Sequence, residues 1–145
     1  GTEGLAIQFA SCCRPIPGDP IIAQIKKGQG LVVHTHDCPA IHPFHFDPEK
    51  WVDVQWDASA DKLFDVNVRL IANNHRGVLA RLAAEVSEAD SNIDHIETEQ
   101  RQSPAFTTVV FTIQVRNRMH LAHVFRRLRR IPEVVRITRL KKKQP

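Results

Sequence analysis

The three cysteines of the chain lie close to histidines, in an arrangement that could bind a metal ion. Cys12 and Cys13 are adjacent, and Cys38 follows His34 by four residues. Thiolate and imidazole groups are ligands of structural zinc, which takes four tetrahedral nitrogen or sulfur donors. We therefore predict a zinc site whose ligands are Cys12, Cys13, His34 and Cys38, with His36 and Asp37 as substitute ligands.

The adjacency of Cys12 and Cys13 leaves a second interpretation open. Neighbouring side chains on an extended strand point to opposite faces, so the two thiols share an ion only if the chain turns there. Pro15, Pro17 and Gly18 follow directly and favour a turn. Structural zinc sites more often use cysteines two to four residues apart. In the alternative interpretation one cysteine packs in the core and the others are inert buried thiols.

Basic residues are concentrated at the C-terminal end. Residues 116–145 hold eleven of the twenty lysines and arginines, against one acidic residue, Glu133. This asymmetry favours an acidic partner such as RNA or another domain, and the alternative is a solvated helix face followed by a basic tail. The arginines proposed for RNA or partner docking are Arg126, Arg127, Arg129 and Arg130.

Composition restricts the class of protein. A chain of 145 residues suffices for two compact modules. It has no apolar run long enough to span a membrane, so we expect no membrane contact. Three cysteines are too few and odd in number for a secreted disulfide scaffold, which favours the cytoplasm. The chain starts at Gly1 without a signal peptide, and we expect it to be a fragment of a longer protein.

Residues 1–58 are predicted to form a small β-rich domain with a core so thin that a bound metal would stabilise it. A short helix is expected from Ala40 to Phe44, and a linker near residue 59. The predicted strands are Leu5–Ala10, Ile21–Ile25, Leu31–His34 and Trp51–Trp56.

Residues 59–145 are predicted to form a second domain, because apolar alternation and helical spacing succeed one another in the order βαββαβ. This order is typical of a ferredoxin-like fold, with a four-stranded antiparallel sheet and two helices on one face. The fold class is therefore α+β. His120 and His123 lie three residues apart on the second helix with no apparent third ligand, so we expect both to face solvent. The predicted elements are strands at 64–70, 92–101, 106–115 and 134–140 and helices at 78–86 and 118–131.

Several motifs resemble the C-terminal regulatory region of the RelA/SpoT family, which makes and degrades (p)ppGpp. The segments Cys12–Ile21, Gly28–His34 and Asp37–Pro39 resemble its zinc-finger-like, ribosome-intersubunit domain, with Ala40 as a local departure. Residues 62–140 resemble its ACT domain. Asn117–Ala122 and Ile131–Val134 resemble the bifunctional branch of the family.

The resemblance implies a parent enzyme that hydrolyses (p)ppGpp with a metal ion and also synthesises it as a GTP pyrophosphokinase. Those catalytic domains, including the hydrolase metal site, would lie outside this fragment, in which we find no catalytic residues. The resemblance also implies an amino-acid pocket in the ACT domain, and we expect a branched-chain amino acid as its ligand. An ordinary turn and helix cap is the alternative. The implied pocket residues are Asn74, His75, Gly77, Val78, Leu79, Asn92 and Ile93.

Three functional classes follow. The first is a regulatory module that reports amino-acid or ribosome-derived signals to the catalytic domains of the same chain. The second is a module that docks on ribosomal RNA electrostatically. Base-specific reading is not expected of this chain, which has no tyrosine and no aromatic RNA-binding signature. The third is a dimerisation module, because an uncovered sheet favours formation of a homodimer.

Overall fold

The computed structural model describes residues 6–41, 47–57, 62–99 and 103–143. The chain divides into two compact units. The first contains residues 1–61 together with 141–145, and the second contains residues 62–140. The C-terminal tail therefore groups with the first unit, whereas the sequence interpretation assigned it to the second domain. The helix expected at 40–44 lies mostly outside the described residues, and residues 39–41 form a turn.

The first unit contains a four-stranded sheet with the strand order β1-β3-β2-β4. β1 is parallel to β3, while β2 is antiparallel to both β3 and β4. One face packs Ile22, Val32 and Trp51 against the cysteines, and Ala23, Leu31 and Val33 form a separate apolar cluster. The strands are β1 (Ile7–Phe9), β2 (Ile21–Lys26), β3 (Gly30–Thr35) and β4 (Trp51–Asp53).

β4 is shorter than the predicted strand, which extended to Trp56. Trp51 is buried, but the chain has left the sheet by Trp56. The indole N–H of Trp56 donates to the carbonyl of Asp19 at 3.0 Å, and its ring stacks on Phe9 at 5.6 Å. The hydrogen bond satisfies the indole N–H, and the stacking covers one face of the Trp56 ring.

The second unit has the predicted βαββαβ order, with a four-stranded sheet ordered β6-β7-β5-β8. Alternate residues of β5 and β7 are buried, which gives the sheet one apolar face. The apolar stripes of the helices include Leu82 and Val86 of α1 and Val124 and Leu128 of α2, each pair four residues apart and buried. The elements are β5 (Phe64–Asn73), α1 (Val78–Glu88), β6 (Asn92–Thr98), β7 (Phe106–Val115), α2 (Arg118–Arg129) and β8 (Val134–Arg139).

His120 is buried, which corrects the expectation that it faces solvent with His123. The Nδ1 atom of His120 accepts the backbone N–H of Arg116 at 3.0 Å, and Nε2 lies 2.9 Å from the carbonyl of Ala89. Asn117 caps α2 by accepting the backbone N–H of His120. His120 therefore joins the start of α2 to the end of α1. No helix in the described ranges combines the length and apolar character required to cross a membrane.

Gly30 allows β1 to approach β3. Its φ angle is +85°, and a Cβ atom there would lie 2.2 Å from the carbonyl oxygen of Ala6. That same oxygen accepts the backbone N–H of Leu31 at 2.8 Å. A side chain at position 30 is therefore incompatible with the pairing that docks β1.

We predict that Gly30→Ala lowers the free energy of unfolding of the first unit by about 3 kcal/mol, because backbone strain and a steric clash add together. Gly28→Ala is the matched control. Gly28 has a φ of +79° but open space around its Cβ position, so only the strain of about 1–2 kcal/mol applies. Urea denaturation of both variants measures the difference. Equal losses of stability would show that the approach of Ala6 to Gly30 is unimportant.

Candidate functional site

A tight turn brings the adjacent cysteines to one site. Residues 11–13 form the turn, which the backbone N–H of Arg14 closes by donating to the carbonyl of Ala10 at 2.9 Å. Arg14 adopts a left-handed conformation with φ of 47°. The chain therefore turns where the sequence analysis required it to turn. A second turn after β3 positions Cys38, whose N–H donates to the carbonyl of Thr35.

Four donor atoms converge in the interior of the first unit. The Sγ atom of Cys12 lies 3.5 Å from Sγ of Cys38 and 3.6 Å from Nδ1 of His34. The Sγ atom of Cys13 lies 3.9 Å from the same Nδ1 atom. All four residues are buried, and their ligand atoms lie within 4.8 Å of one another. Zinc–sulfur bonds of about 2.3 Å in a tetrahedron separate the ligands by about 3.7 Å, so the cluster has approximately the required size.

Burial shifts the pKa values of Cys12, Cys13 and His34. It raises the pKa of the Cys13 thiol to about 12 and also raises the pKa of Cys12, to which the neighbouring Cys38 contributes. Burial lowers the pKa of His34, and the charge of Lys26 lowers it further. The imidazole is therefore held neutral, which is the form that binds metals. The backbone N–H of Thr35 donates to Sγ of Cys13 at 3.4 Å and stabilises negative charge on that sulfur.

The donor set fits a structural zinc ion. Three sulfurs and one imidazole nitrogen supply four ligands and leave no open position for a substrate. His36 and Asp37, named from the sequence as substitute ligands, are exposed and lie outside the cluster. Trp51 packs near His34, with the ring centroids 6.2 Å apart, and Ile22, Val32 and Ile41 help exclude water.

The turn before α1 borders a second candidate site, a cavity of about 320 Å³. Five of the expected pocket residues line it, and they are Asn74, His75, Gly77, Val78 and Leu79. Thr98, Glu99 and Thr107 also line it, and the sequence analysis did not identify them. That these residues border the cavity follows only from the strand register, which places the end of β6 beside the start of β7.

Asn92 and Ile93 do not reach this cavity within one chain. Asn92 pairs with Gln114 at the end of β7, whereas the turn before α1 lies near Phe106 at its start. The two expected residues are therefore at the opposite end of the sheet from the cavity.

The arginines of α2 differ in their surroundings. Arg127 is half-buried and binds Glu85 of α1 through two hydrogen bonds, of 2.9 and 3.4 Å. Arg129 lies over the ring of Phe125 at 5.6 Å but remains exposed. Arg126 and Arg130 are also exposed. Arg127 thus joins the helices, and the other three arginines present charge at the surface.

We predict that protein purified without chelator contains one zinc ion per chain and that Cys38→Ala loses it, because three donors give an incomplete structural site. Elemental analysis by mass spectrometry measures the content. His36→Ala is the matched control, since His36 lies close in sequence but outside the cluster, and it should retain the metal. Wild-type protein without metal, together with unchanged stability in Cys38→Ala, would contradict the site.

Zinc binding should also release protons, because zinc takes thiolates in place of thiols. We expect about three protons per ion at neutral pH and an affinity that increases with pH. Calorimetric titrations in buffers of different ionisation enthalpy measure the number. Release of one proton or none would mean that the thiols do not coordinate the ion.

Comparison with known proteins accounts for most of the chain. The family model of the RelA/SpoT RIS domain matches residues 1–57, and the model of the ACT domain matches residues 60–139. A solved ACT domain from the GTP pyrophosphokinase of Chlorobium tepidum aligns with a TM-score of 0.47 and 23% identity, over 55% of this chain and all of that one.

Curated relatives are much longer than this chain. The bifunctional (p)ppGpp synthase/hydrolase SpoT of Escherichia coli K12 is 39% identical over 139 residues, which are 96% of this chain and 20% of that protein. The GTP pyrophosphokinase of the same strain is 30% identical over 141 residues, which are 97% of this chain and 19% of that protein. The chain thus spans about a fifth of the length of these relatives. It belongs to the RelA/SpoT family and comprises the RIS and ACT domains of that family.

Proposed function

We propose that this chain is the regulatory part of a longer cytoplasmic enzyme that hydrolyses and synthesises (p)ppGpp. It would act on catalytic domains elsewhere in the same polypeptide. The match to SpoT over nearly the whole chain, and over only a fifth of that relative, supports this assignment. The match to the RIS and ACT domains also supports it, because the chain then contributes regulation and not chemistry.

The ligand that we propose for the ACT domain is a branched-chain amino acid, and the cavity beside α1 is the observation that carries this proposal. Gly77 begins α1 with no side-chain cap, and the first turn contains no acidic residue. The backbone amides at the start of a helix lack acceptors within the helix and attract anions. The carboxylate of an amino acid is therefore suited to this end of the cavity.

The other groups of the cavity suit the rest of such a ligand. The carboxylate of Glu99 offers an acceptor for an ammonium group, although it now binds Arg69 at 3.0 Å. That arginine holds the pKa of Glu99 below its usual value, so the acceptor is charged at neutral pH. Val78 and Leu79 provide apolar surface for an aliphatic side chain.

We further propose that the complete pocket forms in a homodimer. Asn92 and Ile93 lie at the far end of the sheet, so they would contribute to the cavity only from a second copy of the domain. β6 is an edge strand of the described sheet and has backbone groups on one side that are suited to such an association.

We predict that calorimetric titration with valine, leucine or isoleucine gives saturable heat at millimolar concentration. Leu79→Glu should abolish it, because the new carboxylate competes for the helix N-terminus. Ala84→Glu is the matched control, since it adds the same charge to an exposed position of α1 away from the cavity. Native mass spectrometry of the same samples reports whether a dimer gains ligand mass. Absence of heat with all three amino acids would contradict amino-acid sensing.

Docking on ribosomal RNA is the second candidate, favoured by the exposure of Arg126, Arg129 and Arg130 on α2. Binding of this kind is electrostatic and weakens steeply with salt. A chain that gives no heat with amino acids but binds RNA in a salt-dependent manner would support this function.

A further inference from the structure

The C-terminal tail contacts both turns that carry the cysteines. The chain leaves β8 at Arg139, and the backbone N–H of Lys142 donates to the carbonyl of Cys12 at 2.7 Å. The Nζ atom of Lys141 donates to both carboxylate oxygens of Asp37, at 2.8 and 3.0 Å. Asp37 immediately precedes Cys38. Two consecutive tail residues therefore hold the two ligand turns, and they do so from more than 100 positions away.

Lys141 differs from the neighbouring lysines in its burial. Its side chain is only 19% exposed, whereas the Asp37 side chain is 72% exposed. A lysine outside the helices and strands normally keeps its ammonium group in water. Lys143, two residues further on, is exposed. Lys141 is thus mostly covered while its ammonium group binds the carboxylate of Asp37.

We propose that Lys141 and Lys142 form a C-terminal clasp that closes the metal centre and slows loss of its ion. The proposal rests on the metal centre described above. The clasp bonds to the backbone of one ligand residue and to the neighbour of another, so opening the site to release metal requires these bonds to break. Its charge also suits the site, because one zinc ion with three thiolates and a neutral imidazole carries one net negative charge.

The first test is the rate at which zinc passes from the loaded chain to a chromophoric chelator. Lys141→Met should accelerate transfer by about two- to fivefold, which is the range expected for one partly exposed ion pair. Deletion of residues 141–145 should accelerate it by about tenfold, since it also removes the hydrogen bond to Cys12. Lys143→Met is the matched control and should leave the rate unchanged. Equal rates for Lys141→Met and Lys143→Met would overturn the proposal.

Exchanging the charges of Asp37 and Lys141 distinguishes the effect of their ion pair from general effects of substitution. Asp37→Lys alone should accelerate transfer, and adding Lys141→Asp should restore the rate towards that of the wild type. A double variant that releases zinc as fast as the Asp37→Lys single variant would overturn the role of the pair.

A second measurement tests the clasp in protein without metal. In metal-free, reduced protein, the rate at which 5,5′-dithiobis(2-nitrobenzoic acid) labels the buried thiols reports how often the ligand turns open. Lys141→Met should increase this rate, and Lys143→Met should not. If the wild-type chain takes up no zinc, the proposed metal site is wrong. The comparison of labelling rates still decides whether the clasp exists. Identical labelling rates in the two variants would show that it does not.

Discussion

The convergence of four buried donor groups is the constraint on which the first unit depends. Cys12, Cys13, His34 and Cys38 come from two turns and one strand, and they meet inside a unit that has only short strands. A domain of this size buries little apolar surface, so its core alone gives a small margin of stability. Metal coordination contributes directly to folding in such domains. Without an ion, the same interior would hold three thiol groups and an imidazole, which bind one another weakly.

The second unit is stabilised differently. Its sheet has one apolar face, formed by alternate residues of β5 and β7, and two amphipathic helices supply the apolar residues opposite it. Polar contacts then fix the helices relative to each other. The Arg127–Glu85 pair joins the two helices, and His120 links the start of α2 to the carbonyl of Ala89. The cavity at the start of α1 lies beside this framework and is lined in part by the turn that precedes the helix.

The strands and helices of the second unit could be predicted from the sequence, because the residue patterns that indicate them are local. The alternation in Phe106–Val115 and the helical spacing of Leu121, Val124 and Leu128 each predict one structure. The four residues of the candidate metal site were identified from residue type, but their convergence depends on the turn that ends in the left-handed conformation of Arg14. The resemblance to the RelA/SpoT family, supported by the domain matches, supplied the function class.

The structural features that were not predicted from the sequence depend on contacts between residues far apart in the chain. β4 ends at Asp53, and Trp56 instead bonds to Asp19. Arg127 binds Glu85, 42 positions away, and so is less exposed than the other three arginines. His120 is buried through a contact with the end of α1. Thr98, Glu99 and Thr107 enter the cavity through strand register. The sequence left the basic tail open between an acidic partner and a solvated surface, and Lys141 pairs with Asp37, 104 positions away, inside the first unit.

X-ray absorption spectroscopy of the zinc-loaded chain tests the central claim most directly, because it counts the atoms around the ion. The account predicts three sulfur scatterers at about 2.3 Å and one nitrogen at about 2.0 Å. A first shell of oxygen and nitrogen atoms, or one with fewer than three sulfurs, would contradict it. Such a result would mean that the buried cysteines pack in the core as thiols and that the first unit is held together without a metal.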